Sequence, residues 1–244
     1  MAGLQQAFAS PESKRRYVRR LFGTIADRYD FITGFLSYGQ DRRWKRRLIR
    51  EAALGHGQRV LDLACGTGDI ALQASAAGAT VVGLDITPRM VELARAKAKR
   101  ARHEGMWPIP TFLVGDMTAL PFPDRTVQVV TTGYGLRNVP VLEEALDEIT
   151  RVLVPGGRLL SLDFNRPSWA PVRAVYLFYL TVVGSSLGWV LHGDAETYRY
   201  IPESIRHYPG ARGISALLRA RGFEQVTAKP LLGGLMTLHI AQKR

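Results

Sequence analysis

Hydrophobic residues follow two different spacings through the middle of the chain, and each spacing predicts a different element. Short apolar runs predict buried strands, whereas apolar residues that recur once per helical turn predict helices. The predicted strands cover residues 59–64, 80–84, 111–114, 127–132 and 158–164, and the predicted helices between them cover residues 69–76, 88–103 and 141–153. Strands that alternate with helices are joined by crossovers, so the pattern predicts a parallel sheet with helices on both faces.

The two ends of the chain depart from this alternation. Helical patterns near residues 13–22, 25–36 and 41–54 precede the first strand, and a strand pair at residues 223–229 and 235–242 closes the sequence. A terminal hairpin places an antiparallel strand in the sheet. The predicted fold class is therefore α/β, with a mostly parallel seven-stranded sheet and an antiparallel terminal strand.

Between the last parallel strand and the hairpin lie residues 165–212, too many for an ordinary connection. We interpret them as a helical insertion that covers the active site. The predicted organisation is an N-terminal helical lid, residues 1–54, followed by a sheet domain, residues 55–244, that contains this insertion.

The insertion includes a long apolar stretch, residues 174–191, whose only ionisable side chains are tyrosines. About eighteen residues is the lower limit for crossing a bilayer, although glycine, serine and threonine dilute the stretch. Three interpretations are open: a spanning helix, a helix that faces a membrane or binds a lipid tail, and an internal core helix.

Charge adds a second constraint, because 33 lysines and arginines outnumber 21 acids and give a formal net charge of +12. Much of the excess lies in residues 14–20, 42–50 and 97–102. A basic surface suits nucleic acid, an anionic membrane or an anionic small molecule equally well. The single cysteine, Cys65, gives no disulfide framework, and the first residues do not resemble a signal peptide, so a cytoplasmic protein is expected.

A glycine-rich loop follows the first predicted strand. Asp62 ends the strand, and Gly66, Thr67 and Gly68 lead into the next helix. Glycines permit a sharp turn and close backbone approach, and the amides of a helix N-terminus can hold an anionic group. NAD enzymes share this pattern. We expect Asp62 to order the loop and to attract a cofactor ammonium group, and the run from residue 62 to 68 resembles the loop of class I methyltransferases.

Acidic residues also follow the next two strands. Asp85, with Ile86 after it, is placed to accept hydrogen bonds from ribose hydroxyls, a role that NAD enzymes share. Asp116, with Met117 after it, stands where methyltransferases place an acid near the adenine amino group. Gly133, after the fourth strand, is expected near the cofactor. The ordered set predicts S-adenosylmethionine as cofactor and a Rossmann-like methyltransferase fold.

Motifs scattered over nearly the whole chain carry a closer resemblance. They are Arg28-Tyr29-Asp30 through Trp44, Gly135-Leu136-Arg137-Asn138-Val139, Arg151-Val152-Leu153 with Pro155-Gly156-Gly157, and Tyr198 through Gly210. Together they resemble the ubiquinone/menaquinone biosynthesis C-methyltransferase family. The chain departs from that family's usual residues at Ile32, Thr33, Asp41, Gly133, Asp163 and Asn165. These departures leave the quinone ring open.

The resemblance implies S-adenosylmethionine-dependent methylation of a polyprenylated quinol carbon, with demethylmenaquinol to menaquinol as the expected reaction. Arg137 and Asn138 are expected to orient the quinol oxygen, and Tyr29 and Asp30 to close over the ring. A metal is not expected, because the sulfonium already activates the methyl group. The expected partners are the quinol and, peripherally, an anionic membrane surface; a homodimer is left open and nucleic acid is not expected.

Several alternatives stay open at this stage. His192, His207 and Asp163 are further candidates for the base. Another small aromatic molecule or RNA is an alternative substrate, although the segment after the fourth strand lacks the usual base-methylase pattern. A scaffold without turnover is the non-enzymatic alternative, and cofactor titration would distinguish it.

Overall fold

A computed structural model of the chain describes residues 2–167, 169–192 and 197–244. In this part of the chain, seven strands form one sheet. They are β1 (Arg59–Leu63), β2 (Thr80–Asp85), β3 (Thr111–Val114), β4 (Val127–Gly133), β5 (Leu153–Phe164), β6 (Phe223–Leu231) and β7 (Met236–Lys243).

The strand order is β3-β2-β1-β4-β5-β7-β6, in which neighbours from β3 to β5 are parallel and β7 is antiparallel to both β5 and β6. The predicted fold class is confirmed, including the antiparallel strand that the terminal hairpin inserts. The chain order reverses between β1 and β4, which is where open α/β sheets bind ligands.

Ten α-helices accompany the sheet in the described ranges. They are α1 (Ala2–Ala7), α2 (Pro11–Ile25), α3 (Tyr29–Leu36), α4 (Asp41–Ala52), α5 (Asp69–Ala76), α6 (Pro88–His103), α7 (Leu142–Val152), α8 (Ala170–His192), α9 (Tyr200–His207) and α10 (Gly210–Ala220). The division into a lid and a sheet domain at residue 54 stays a prediction.

The N-terminal helices differ from the prediction in their boundaries. The Ser10 hydroxyl accepts a hydrogen bond from the Ser13 N–H at 3.2 Å and caps α2. The helix then continues to Ile25, past the predicted end at residue 22, and a single 3-10 turn separates it from α3. Val18 and Ile25 are buried on one side of α2. Their burial offsets the cost of about 1 kcal/mol for glycine within the helix.

Strand β5 begins earlier than predicted. Pro155, Gly156 and Gly157 suggested a break before residue 158, yet Leu153 already pairs with Val127. The register shifts just after this pair, and the irregularity accommodates the proline and glycines. Further along β5, apolar side chains alternate between two core clusters on opposite faces of the sheet, which explains its nearly continuous apolar sequence.

Helix α8 has one buried and one exposed side. Tyr176, Leu177 and Leu180 pack in a cluster with Ile205, whereas Phe178 is 71% exposed. Ala170–Leu191 is long and apolar enough to cross a membrane, with a mean hydropathy of 1.7, and about 33% of its apolar window is buried. The stretch is therefore buried on one side only, and the choice among the three interpretations stays a prediction.

Candidate active site

A cleft of about 70 Å³ lies at the carboxyl ends of β1 to β4. Helix α2 narrows this cleft, because Arg15, Val18 and Phe22 line it opposite the sheet. The predicted cofactor residues that line the cleft are Gly66, Asp85, Ile86, Asp116, Met117 and Gly133. The fold thus brings the ends of four strands together in one place.

Asp85 fixes the loop that follows β1. Its two carboxylate oxygens each accept a backbone N–H, one from Gly66 and one from Thr87, both at 2.8 Å. Burial raises the pKa of Asp85, and these hydrogen bonds oppose the rise. Each oxygen has a second lone pair, which suits a diol in the cleft. Gly68 ends the loop at φ +86°, a conformation that favours glycine.

Asp62 lies beneath the loop and does not line the cleft. Its carboxylate accepts a hydrogen bond from Thr131 Oγ1 at 2.8 Å. Among the described residues, Asp62 Oδ2 has no partner, and burial raises the pKa of the carboxyl to about 7. The predicted contact of Asp62 with the cofactor ammonium therefore has no support in this geometry, because the strand's pleat turns the carboxylate into the core.

Asp116 is paired with a residue that sequence reasoning missed. Arg15 Nε lies 2.8 Å from Asp116 Oδ2, and both side chains are partly exposed. The other carboxylate oxygen accepts bonds from the backbone N–H and the hydroxyl of Thr118. Arg15 had been grouped with a surface basic run. Only the packing of α2 across the sheet edge brings it to the cleft.

A small recess of about 20 Å³ continues the cleft beyond Gly66 and Gly133, which line both. A Cβ at Gly133 would lie 2.7 Å from Ile70 Cδ1, so a side chain there would displace Ile70. Thr67 also lines the recess, and its hydroxyl accepts a bond from Lys97 Nζ at 2.9 Å.

A buried ionic cluster closes the recess. Lys45, on α4, is 6% exposed, and its Nζ lies 2.7 Å from Asp41 Oδ2 and 3.0 Å from Asp69 Oδ2. The Tyr134 hydroxyl donates to Asp41 Oδ1 at 2.8 Å. Burial alone would lower the pKa of Lys45, but Asp69 and Asp41 outweigh it and the net shift is upward. Burial would raise the pKa of Asp69, but Lys45 and Lys97 lower it to about 2.

One signal for this cluster is present in the sequence. Asp41 and Lys45 are four residues apart on α4, the spacing at which helical side chains meet. Lys45 lies within the basic run at residues 42–50, yet Lys45 is buried whereas Arg42, Arg43 and Arg46 are exposed.

A larger cavity of about 560 Å³ adjoins the cleft and shares Phe22, Tyr29 and Tyr134 with it. Residues from α2, α3, α8 and the segment before α9 form its wall, together with side chains near the sheet edge. The wall is overwhelmingly apolar. Aromatic rings are prominent, which suits a planar ring or an isoprenoid chain.

Arg137 is the cation in the wall of this cavity. It is 7% exposed, its Nε lies 3.1 Å from Asp163 Oδ1, and its backbone N–H donates to Asp163 Oδ2 at 3.2 Å. Nη1 donates to Ser204 Oγ at 2.8 Å and Asn138 Oδ1 at 3.1 Å. Within the described residues, Nη2 has no such acceptor. The guanidinium also lies 4.7 Å from the centre of the Phe164 ring.

The other three predicted catalytic residues have different environments. Asn138 lines the cofactor cleft rather than the large cavity, and its amide donates to the Tyr134 carbonyl at 2.7 Å. Tyr29 lines the cleft, the recess and the cavity, and burial raises the pKa of its phenol. Asp30 lines none of them. Its carboxylate contacts Lys97 Nζ and Thr67 Oγ1, both at 2.6 Å, so this geometry offers no support for its predicted closure over the ring.

The candidates for the base also differ in their environments. Asp163 is buried behind Arg137, and burial raises its pKa while Arg137 opposes the rise. His207 is exposed, stacks on Phe8 at 4.4 Å and lines neither the cleft nor the cavity. The side chain of His192 lies outside the described part. Among the residues whose side chains are described, no group of three histidine, cysteine or acidic side chains could hold a metal ion.

The comparisons with known proteins agree with this arrangement. The model of the ubiE/COQ5 methyltransferase family matches residues 10–243. The chain belongs to the ubiE/COQ5 methyltransferase family. It is therefore an S-adenosylmethionine-dependent C-methyltransferase of ubiquinone/menaquinone biosynthesis, as the sequence motifs predicted.

Individual relatives match more than nine tenths of this chain. A demethylmenaquinone methyltransferase of Thermus thermophilus is 40% identical over 225 residues, covering 91% of this chain and 100% of the relative. The ubiquinone/menaquinone biosynthesis C-methyltransferase UbiE of Azotobacter vinelandii is 40% identical over 233 residues, covering 94% and 91%. A solved SAM-dependent methyltransferase from Thermotoga maritima matches with a TM-score of 0.65 at 18% identity, covering 93% of this chain and 100% of that one. This last likeness concerns the fold.

Proposed function

We propose that the chain methylates a ring carbon of demethylmenaquinol, with Arg137 as the residue that binds the quinol oxygen. The observation that carries the proposal is the position of Arg137 in the wall of a large aromatic cavity beside the cofactor cleft, where its Nη2 has no acceptor among the described residues. An apolar cavity suits a prenylated ring, whereas an RNA base would bring a charged backbone to the same wall.

In this proposal S-adenosylmethionine crosses the cleft along the carboxyl ends of the strands. Asp116 and Met117 face the adenine, Asp85 accepts hydrogen bonds from the ribose hydroxyls, and the backbone around Gly66 and Gly133 faces the methionyl group. Support comes from the lining of the cleft and from the two lone pairs left on the Asp85 carboxylate. The cofactor supplies a methyl group that its sulfonium has already activated.

The chain's own task is to position the ring and to stabilise its charge. Loss of the quinol hydroxyl proton places electron density on the neighbouring ring carbon, which forms a bond to the methyl group as the bond from methyl to sulfur breaks. The ring carbon then loses its hydrogen as a proton to water, which restores the aromatic ring as a phenolate, and the phenolate oxygen regains a proton from water. Arg137 Nη2 donates to the phenolate oxygen, and Asp163 holds the guanidinium in place. Water carries the hydroxyl proton away.

The choice of ring rests on the relatives. The names of the 40% identical proteins include demethylmenaquinone methyltransferase as well as the broader ubiquinone/menaquinone enzyme. The test is mass spectrometry of cellular quinones with and without this protein, followed by assay of the purified chain with reduced quinones of both ring types. Accumulation of demethylmenaquinone on deletion is the expected result. Accumulation of a demethylated benzoquinone alone would overturn the choice of ring.

We propose further that the protein docks peripherally on an anionic membrane, where its substrate resides. The exposed residues that line the cavity, and so mark its mouth, include Tyr38, Trp169, Val175 and Leu232. A groove that shares Tyr38 and Leu232 with the cavity is lined by arginines of α4, namely Arg43, Arg47 and Arg50. Exposed apolar side chains beside cationic ones suit the interface of an anionic bilayer.

A further inference from the structure

We propose that Lys45 is the counter-ion of the cofactor's α-carboxylate, bound in the recess beyond Gly66 and Gly133. The inference rests on the cofactor placement proposed above and is independent of the quinol substrate. Lys45 belongs to the basic run at residues 42–50, and it has no part in the proposed chemistry of the ring.

The order of the strands gives the direction of the cofactor. Asp116 follows β3, Asp85 ends β2 and Gly66 follows β1. These three strands are consecutive neighbours in the sheet. Neighbouring strands are about 4.8 Å apart, so Asp116 and the loop after β1 are separated by roughly two strand spacings. With adenine at Asp116 and ribose at Asp85, the amino-acid end of the cofactor reaches Gly66 and Gly133, where the recess begins.

The size and the lining of the recess fit a carboxylate. Its volume of about 20 Å³ admits a group the size of a water molecule or a carboxylate oxygen, and nothing as large as a ring. Lys45 is the cation among its lining residues. An ammonium has three N–H donors. In the described chain, Asp41 and Asp69 occupy two of them, which leaves the third for an acceptor in the recess.

The surrounding charges also match the ligand. Asp30, Asp41 and Asp69 contribute three carboxylates, and Lys45 and Lys97 contribute two ammonium groups, so the connected cluster carries one net negative charge. The methionyl end of S-adenosylmethionine carries a carboxylate, an ammonium and a sulfonium, and therefore one net positive charge. The net positive charge of the ligand therefore balances the net negative charge of the cluster, while Lys45 pairs with the ligand's carboxylate.

The test compares S-adenosylmethionine with its decarboxylated analogue by titration calorimetry. The wild-type protein should bind S-adenosylmethionine about 10- to 100-fold more tightly, as expected for hydrogen bonds to a charged group. The variant Asp41→Asn/Lys45→Met keeps the net charge of the cluster. It should bind both ligands with nearly equal affinity, and its affinity for the decarboxylated ligand should remain close to that of the wild type.

Lys97→Met is the matched control, because Lys97 also pairs with Asp69 but does not line the recess. It should keep the preference for S-adenosylmethionine. If the double variant does not fold, Lys45→Arg replaces it and should reduce that preference. A wild-type protein that does not distinguish the two ligands, or a folded Lys45 variant that still prefers S-adenosylmethionine by the wild-type factor, would overturn the proposal. Failure of both ligands to bind the wild type would instead contradict the cofactor placement.

Discussion

The cofactor cleft and the large cavity of about 560 Å³ are neighbours, yet different kinds of secondary structure and side chain form their walls. The cleft lies on the ends of consecutive strands, and backbone amides and carboxylates form much of its polar lining. The cavity lies mainly between helices that are far apart in sequence, α2 and α3 on one side and α8 on another. It holds one guanidinium, that of Arg137, in a wall of apolar groups.

This difference separates two kinds of specificity. Strands fixed in a sheet hold the groups of the cleft in a rigid frame, which suits a cofactor of constant structure. The helices around the cavity pack through apolar contacts, so substitution of single side chains can change the shape of the cavity. Such a cavity suits a substrate whose tail and ring vary. Changes in the cleft should therefore alter cofactor affinity, and changes in the cavity should alter turnover.

The largest expected effect separates the two regions directly. Arg137→Lys keeps a cation beside Asp163 but removes the planar fork, so it should lower kcat by about 10²- to 10³-fold. The affinity for S-adenosylmethionine, measured by calorimetry, should stay within about threefold of the wild type. Ser204→Ala, which removes one acceptor of Arg137, serves as the milder control. Loss of cofactor affinity in Arg137→Lys would show that the two regions are not independent.

The converse experiment changes the cleft. Asp85→Asn retains one oxygen acceptor for the loop but loses the charge, and it should weaken S-adenosylmethionine binding by about 10- to 100-fold. Turnover at saturating cofactor should change little, because the cavity is untouched. Asp124→Asn, at an exposed ion pair with Arg151, is the control and should bind normally. An unchanged dissociation constant in Asp85→Asn would contradict the ribose assignment.

The polar frame beneath the cleft should respond to pH. The pKa of Asp62 is about 7 in the folded chain against an ordinary value of 3.8. The folded state therefore binds the proton of the Asp62 carboxyl more tightly than the unfolded state does. The stabilisation of the folded state by this proton is fully present below about pH 4 and is lost as pH rises through 7. From pH 5 to 8, the free energy of unfolding should fall by about 1 to 3 kcal/mol more in the wild type than in Asp62→Asn. Urea unfolding at both pH values measures this, and parallel pH dependence of the two proteins would contradict it.

The smallest expected effect concerns the mouth of the cavity. Arg43→Gln/Arg47→Gln should reduce binding to anionic liposomes by about tenfold at low salt. This is less than the sum of about 1 kcal/mol for each nearby charge, because Glu51 already lies 3.8 Å from Arg47 Nε. Arg42→Gln/Arg46→Gln removes the same charge from α4 outside the groove and should have a smaller effect. Wild-type flotation should need anionic lipid and decline towards about 0.5 M sodium chloride. Equal losses in both variants would indicate a general charge effect. Resistance to salt and alkaline carbonate would instead favour a spanning α8.

What the sequence determined by itself is local. The alternation of apolar runs predicted the sheet, and the glycine loop, Asp85 and Asp116 identified the cofactor cleft, because each depends on a few consecutive residues at the end of one strand. Several short motifs, one of them around Arg137, identified the family for the same reason. A local sequence pattern predicts the structure correctly when the backbone geometry that it requires involves only a few consecutive residues.

Tertiary structure decided which side chains meet. Asp62 and Asp30 had suitable chemistry and position in the sequence, yet the strand pleat buries the first and Lys97 holds the second away from the cavity. Arg15 and Lys45 belonged to runs of basic residues, and only the packing of α2 and α4 brings the one to Asp116 and buries the other beside Asp69. Partners separated by many residues are chosen by packing and by the cost of burying an unpaired charge, and neither quantity is encoded in any short stretch of the chain.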